Sequence, residues 1–259
     1  MSLHNKTPKE IRPSSQGSVK YEKTPRWTRG YSGHEKIVDS KQAYLIWEGA
    51  AGYPIWAFPT QDIAGLVKND HVDGGKEGLR GQWFDVQIKD KKIENIGYTI
   101  KSDTPGFIEE ANNLVVIVTS KVDKWLEDDE EAIGHPIDPY HRVDARLSSR
   151  HVKVVIDGVT VAETQTAAFL YETGFITRYY IDAIDVQRID LFRPSTLNTV
   201  CPYKGVASYF SATVNGKEYP NIVWTYLNPV DGLQKVRGRW GFYNEKLDIY
   251  VDGEKLKYD

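Results

Sequence analysis

The chain has 259 residues, of which 40% are hydrophobic and 27% charged, and a formal net charge of -3. That composition is globular, and a slightly acidic balance excludes the basic stripe of a general nucleic-acid binder. A single cysteine excludes a disulfide framework and any cysteine-cluster zinc site. No apolar run approaches the roughly 18 residues of a membrane span, and the first residues lack the apolar core of a signal peptide. The expected location is cytoplasmic, with no nucleic-acid or membrane partner.

Residues 1–24 are polar and read as a mobile tail. Folded structure is expected from about Pro25-Arg26-Trp27. Two short helices are expected, at Pro105 to Asn112 and at Pro229 to Val236; nearly everything else reads as strand.

The two halves of the chain repeat. Ala43–Glu48 (AYLIWE) aligns with Ala167–Glu172 (AAFLYE) at an offset of 124. Trp83-Phe84 aligns with Tyr209-Phe210, and Asn95–Thr99 with Asn221–Thr225, at an offset of 126. Ser120–Asp123 aligns with Glu245–Asp248 at 125. Ordered matches with so little drift imply two copies of one domain, over 25–130 and 151–259, joined by residues 131–150. The period is far too long for a solenoid.

In the second half, Val152–Ile156 and Val159–Ala162 flank Asp157-Gly158, a two-residue hairpin signal. Further strands are expected at Phe169–Glu172, Arg178–Ile181, Trp240–Tyr243 and Leu247–Val251. Tyr209–Val214 and Ile222–Leu227 pair around Asn215-Gly216. Strands this short, bounded by turn residues, indicate a mostly β chain of two repeated open barrels or sandwiches.

The joining segment is not the Gly/Ser chain of a flexible linker. It holds His135, His141, Arg142, Asp138, Asp144 and two prolines, so it is expected to be structured. His135 and His141 suit an acid/base pair, a metal pair with Asp138 or Asp144, or the satisfied polar groups of a seam. The spacing matches no zinc motif.

Cys201-Pro202-Tyr203-Lys204-Gly205 is the other concentration of chemistry. Cys201 is a candidate nucleophile whose thiol Lys204 would activate, and Tyr203 a proton donor. Arg178 is a candidate clamp for a carboxylate or phosphate. Trp224 and Tyr226, two apart on a strand, share a face and, with Tyr180 and Tyr209, would wall a pocket beside Glu172. The structural alternative makes Cys201 a small buried hydrophobe and places Lys204 over an aromatic ring or against Glu172.

Gly134-His135-Pro136, Asp138–Asp144, Ser148–Val152, Glu172-Thr173-Gly174, Arg178-Tyr179-Tyr180, Cys201–Gly205 and Val251-Asp252-Gly253 together resemble the family catalogued as domain of unknown function 427, in a tandem two-copy form. The resemblance implies a small β fold similar to the β-tent class. That class often carries a zinc bound by paired cysteines, which one cysteine cannot supply. A nucleotidyltransferase-like label attaches to the family, but no Gly-Ser with paired aspartates and no phosphate-cradling glycine loop occurs here. The first copy has Gly75–Leu79 where the second has its pentapeptide, so the second copy is expected to be active and the first a support or lid. The expected function is binding or turnover of a small molecule in the second domain, under the histidine-containing segment. The other candidate is a non-catalytic interaction module. No cofactor is identified.

Overall fold

The computed structural model describes residues 16–49 and 52–257, which divide into one compact unit ending at Asp138 and another beginning at Pro139. Among them no α-helix forms. The two expected helices are reduced to 3-10 turns at Glu109–Asn113 and Gln234–Val236, too short for side chains to form an apolar stripe.

The first unit contains β1 (Val19–Lys23), β2 (Thr28–Ser32), β3 (Glu35–Ser40), β4 (Tyr44–Glu48), β5 (Ile55–Pro59), β6 (Leu66–Lys68), β7 (Arg80–Ile88), β8 (Lys91–Ile100), β9 (Leu114–Ile117), β10 (Lys124–Glu127) and β11 (Glu130–Glu131). The second contains β12 (Val143–Leu147), β13 (Val152–Ile156), β14 (Val159–Thr164), β15 (Ala168–Glu172), β16 (Arg178–Ile181), β17 (Phe192–Cys201), β18 (Gly205–Val214), β19 (Lys217–Pro229), β20 (Trp240–Phe242), β21 (Asp248–Val251) and β22 (Glu254–Lys255).

Each unit pairs a seven-stranded with a four-stranded sheet into a sandwich-like half, and the strand orders coincide. The large sheets run β1-β4-β5-β9-β8-β7-β6 and β12-β15-β16-β20-β19-β18-β17; the small ones run β11-β10-β2-β3 and β22-β21-β13-β14.

Two departures from the sequence reading stand out. Residues 1–15 of the expected tail lie outside the described residues, but β1 pairs with β4 over its whole length and buries Val19. Only Val19 and Tyr21 carry the apolar alternation there, too little to register against polar neighbours. The expected joining segment is also divided: Asp138 ends the first unit, whereas β12 forms the outer strand of the second large sheet along β15.

Turn chemistry sets the register. Asp157 and Asn215 adopt φ of 49° and 50°, each followed by a glycine at positive φ, as tight two-residue hairpins require. Ile156 therefore faces Val159, and Val214 faces Lys217.

Period-2 alternation then gives each large sheet two apolar faces. In the second unit Val152, Val154, Ile156, Phe169, Tyr179 and Ile181 fill the space between the two sheets. The opposite face carries Ala168, Leu170, Tyr180, Tyr209, Trp224 and Tyr226 and is capped by Leu233 and Val236. In the first unit that second face carries Tyr44, Ile46, Trp83, Tyr98 and Ile100. Glu172 and Glu48 end β15 and β4 in phase with these second-face residues, so alternation aims both carboxylates at the second face.

Candidate functional site

In the second unit, three separated segments meet at Glu172. His141 Nε2 lies 3.0 Å from Glu172 Oε1. Lys204 donates from Nζ to the same oxygen at 2.6 Å. The side chains of His141 and Glu172 are each 8% exposed and that of Lys204 is 13% exposed. Tyr203 lies against the His141 ring with centroids 4.2 Å apart, and Phe175 meets that ring edge-on. Lys204 also lies over Phe175.

The local backbone explains the convergence. Lys204 N–H donates to the Cys201 carbonyl at 3.2 Å and closes a tight turn between β17 and β18. Gly205 leaves that turn at φ +102°, with the Asn228 carbonyl 2.9 Å from where a Cβ would stand. Glycine alone satisfies both conditions. The turn directs Lys204 inward, while β12 begins two residues after His141 and ties it to the end of β15.

The electrostatics follow from the geometry. Burial pushes the Glu172 carboxyl up, but the His141 hydrogen bond and the Lys204 charge outweigh it and hold the group below its ordinary range. Burying such a set costs several kcal/mol per ion unless every partner is placed, and here the shared oxygen places them. If Nε2–H of His141 donates to Glu172, Nδ1 is the acceptor, the tautomer of a general base.

The remaining sequence candidates are distributed as follows. Arg178 donates bidentately to Glu245, both contacts 2.6 Å, and lies over Trp224, so its fork is spent inside the protein. Trp224 donates to the Tyr180 hydroxyl at 2.9 Å. Tyr180, Tyr209, Trp224 and Tyr226 are all buried and packed into one cluster. These rings fill the second face instead of walling open space. The Tyr209 hydroxyl bonds Thr199, and burial together with Tyr209 pushes the Tyr243 phenol up to about 12.

Cys201 is partly buried, and among the described residues nothing hydrogen-bonds its thiol. The Lys204 ammonium goes to Glu172. Arg142 is exposed and pairs with Asp144, which also accepts from Arg146. His135 belongs to the first unit, where it stacks on Tyr53 at 4.3 Å; Asp138 accepts from Trp47 there at 3.0 Å. Among the described residues no three histidine, cysteine or carboxylate side chains converge as a metal site would need.

Sequence reasoning named Glu172, His141, Tyr203 and Lys204 but missed Phe175, which no motif marked. It also missed the first unit's counterpart. There Glu48 accepts from Tyr98 Oη at 2.5 Å and from Arg80 Nε at 3.0 Å. The match of Glu48 with Glu172 was the available signal; nothing marked Arg80.

Among the described residues no helix is long and apolar enough to cross a membrane. No curated protein matches this chain. Residues 144–253 match the model of the family described as Domain of unknown function (DUF427), so Glu172, Tyr203 and Lys204 fall within the matched segment and His141 just ahead of it.

Proposed function

We propose that this protein binds a small polar molecule at the Glu172 cluster of its second unit, with Lys204, Tyr203 and His141 as the groups that meet the ligand. One observation carries the proposal: a buried lysine ammonium and a buried histidine from distant segments converge on one carboxylate oxygen. Clusters of buried titratable groups with specific charge partners concentrate at functional sites. Lys204 supplies donors to a ligand oxygen, His141 accepts or returns a proton, and Glu172 orients both. Cys201 stays at the margin of this scheme, since the Lys204 ammonium goes to Glu172.

Two finer readings belong with the proposal. The units are taken as two copies of one domain, similar to the β-tent class, on the support of their matching strand orders. The chain is taken as soluble and cytoplasmic, on the support of its composition.

The test is a thermal-shift screen of metabolites, nucleotides and divalent cations against the wild-type chain, Lys204→Gln and His141→Gln. A compound that raises the wild-type melting temperature and neither variant's locates a site at the cluster. If compounds that stabilise the wild type stabilise both variants equally, the cluster is a structural latch.

A second reading, the interaction module, is favoured by one feature. Val200 and Val206 face each other across β17 and β18 and are about half exposed. Loss of a captured partner on Val206→Lys, with ligand binding intact, would support it.

A further inference from the structure

The first unit contains a cavity of about 670 Å³, within the range typical of small-molecule sites. Glu48, Arg80 and Tyr98 stand on its wall beside Ile55, Ile117 and Trp125, and Tyr53 and His135 stand among its outer residues. We propose that this cavity is a binding site for a small planar cation, such as an aromatic amidine or amine, held by the Glu48 carboxylate.

Its presence in this unit follows from side-chain size at matched positions of the two large sheets. Ile55 faces Ile46 across β4 and β5 as Arg178 faces Leu170 across β15 and β16. Tyr98 stands opposite Val116 as Trp224 stands opposite Gly241. Ser120 occupies the place of Glu245. In the second unit the long Arg178 and Glu245 side chains close on each other over Trp224. Isoleucine and serine do not reach, and space remains.

The charge balance selects the ligand. Arg80 is held by Glu48, has Asp73 3.7 Å away and lies over the Tyr98 ring at 4.4 Å, so its charge is already matched and its face covered. Lys124 pairs with Glu131 at 3.4 Å. Of the lining residues that carry a full charge, Glu48, Asp123 and Glu131 are acidic and Arg80 and Lys124 basic, and with both cations already paired neither is left unmatched for an anion. Among the described residues each Glu48 oxygen holds one hydrogen-bond partner, and a carboxylate oxygen accepts two. A donor entering the cavity finds unused acceptor capacity on a carboxylate only 13% exposed, where the charge is weakly screened. Tyr53, stacked on His135 and still 49% exposed, offers aromatic surface to a planar cation.

The experiment is calorimetric or ligand-observed NMR titration of the full chain with benzamidine and, separately, benzoate, which have one shape and opposite charge. Benzamidine is expected to bind with a Kd of about 1 mM or below, and benzoate at least about tenfold more weakly. Glu48→Gln should weaken benzamidine by about tenfold or more. Because Glu48→Gln also loosens Arg80 and Tyr98, a second variant transplants the closing pair, Ile55→Arg with Ser120→Glu. It should fold with an unchanged circular dichroism spectrum and lose benzamidine binding. The proposal is overturned if benzoate binds as well as benzamidine, if benzamidine does not bind, or if the filled variant binds it like the wild type. None of these outcomes bears on the Glu172 cluster, which lies in the other unit.

Discussion

Lys204→Met tests the physics of the Glu172 cluster most directly. The substitution keeps the aliphatic stem over Phe175 and removes the ammonium. Glu172, with a side chain only 8% exposed, would keep one polar partner, His141, on the oxygen that now has two. Removing one member of a buried ion pair costs about 3–5 kcal/mol. The low end applies because His141 still contacts the same Glu172 oxygen. About 3 kcal/mol corresponds to a fall of about 10 °C in the melting temperature of a unit this size. The two units need not unfold together, so the assay should resolve them: hydrogen exchange read on peptides covering β15 and the β17–β18 turn, beside calorimetry. Protection should fall there and stay unchanged in the first unit. The double variant Lys204→Met with Glu172→Leu removes both charges and should recover most of the loss. A cost below about 1 kcal/mol for Lys204→Met would refute the reasoning, since that is the value of a solvent-screened surface pair.

Three further outcomes follow from the same structure. The Glu172 and Glu245 carboxyls are both held below their ordinary range by cationic partners, so their contribution is complete above the unfolded carboxylate value of about 4.3 and is lost as pH falls through the depressed folded values. Denaturant titrations across that window should show the second unit weakening, with the acid limb flatter in Glu172→Gln. Gly241→Ala would put a Cβ 2.6 Å from the buried Trp224 ring, which Tyr180 and Tyr243 hold in place; overpacking of about 2 kcal/mol is expected, checked by the denaturation midpoint. Arg178→Lys keeps the charge but loses the fork to Glu245, and about 1–2 kcal/mol should go with it, an expectation refuted by a denaturation midpoint equal to the wild type's.

The mostly β character of both halves was written in local chemistry. Asp157-Gly158 and Asn215-Gly216 demand tight hairpins wherever they occur, and alternation in Val152–Ile156 tells one face from the other without any long-range information. The alignment of Glu48 with Glu172 was equally legible, because it needs only comparison of the chain with itself. Strand β1 was not, because its stability comes from pairing with β4 and not from its own two apolar residues. The site was half legible. Residue type marked His141, Tyr203, Lys204 and Glu172 as chemical, but only the tertiary fold decided that His141 and Lys204 share one Glu172 oxygen with Tyr203 against the imidazole, since that depends on how β12, β15 and the β17–β18 turn meet. It also decided that Arg178 is spent on Glu245 and that Trp224 and Tyr226 are packed. Where space remains is set by side-chain length across strands far apart in the chain, and no local pattern carries that sum. That is why the sequence pointed to the second unit, while the cavity opens in the first, where Ile55 and Ser120 are too short to close it.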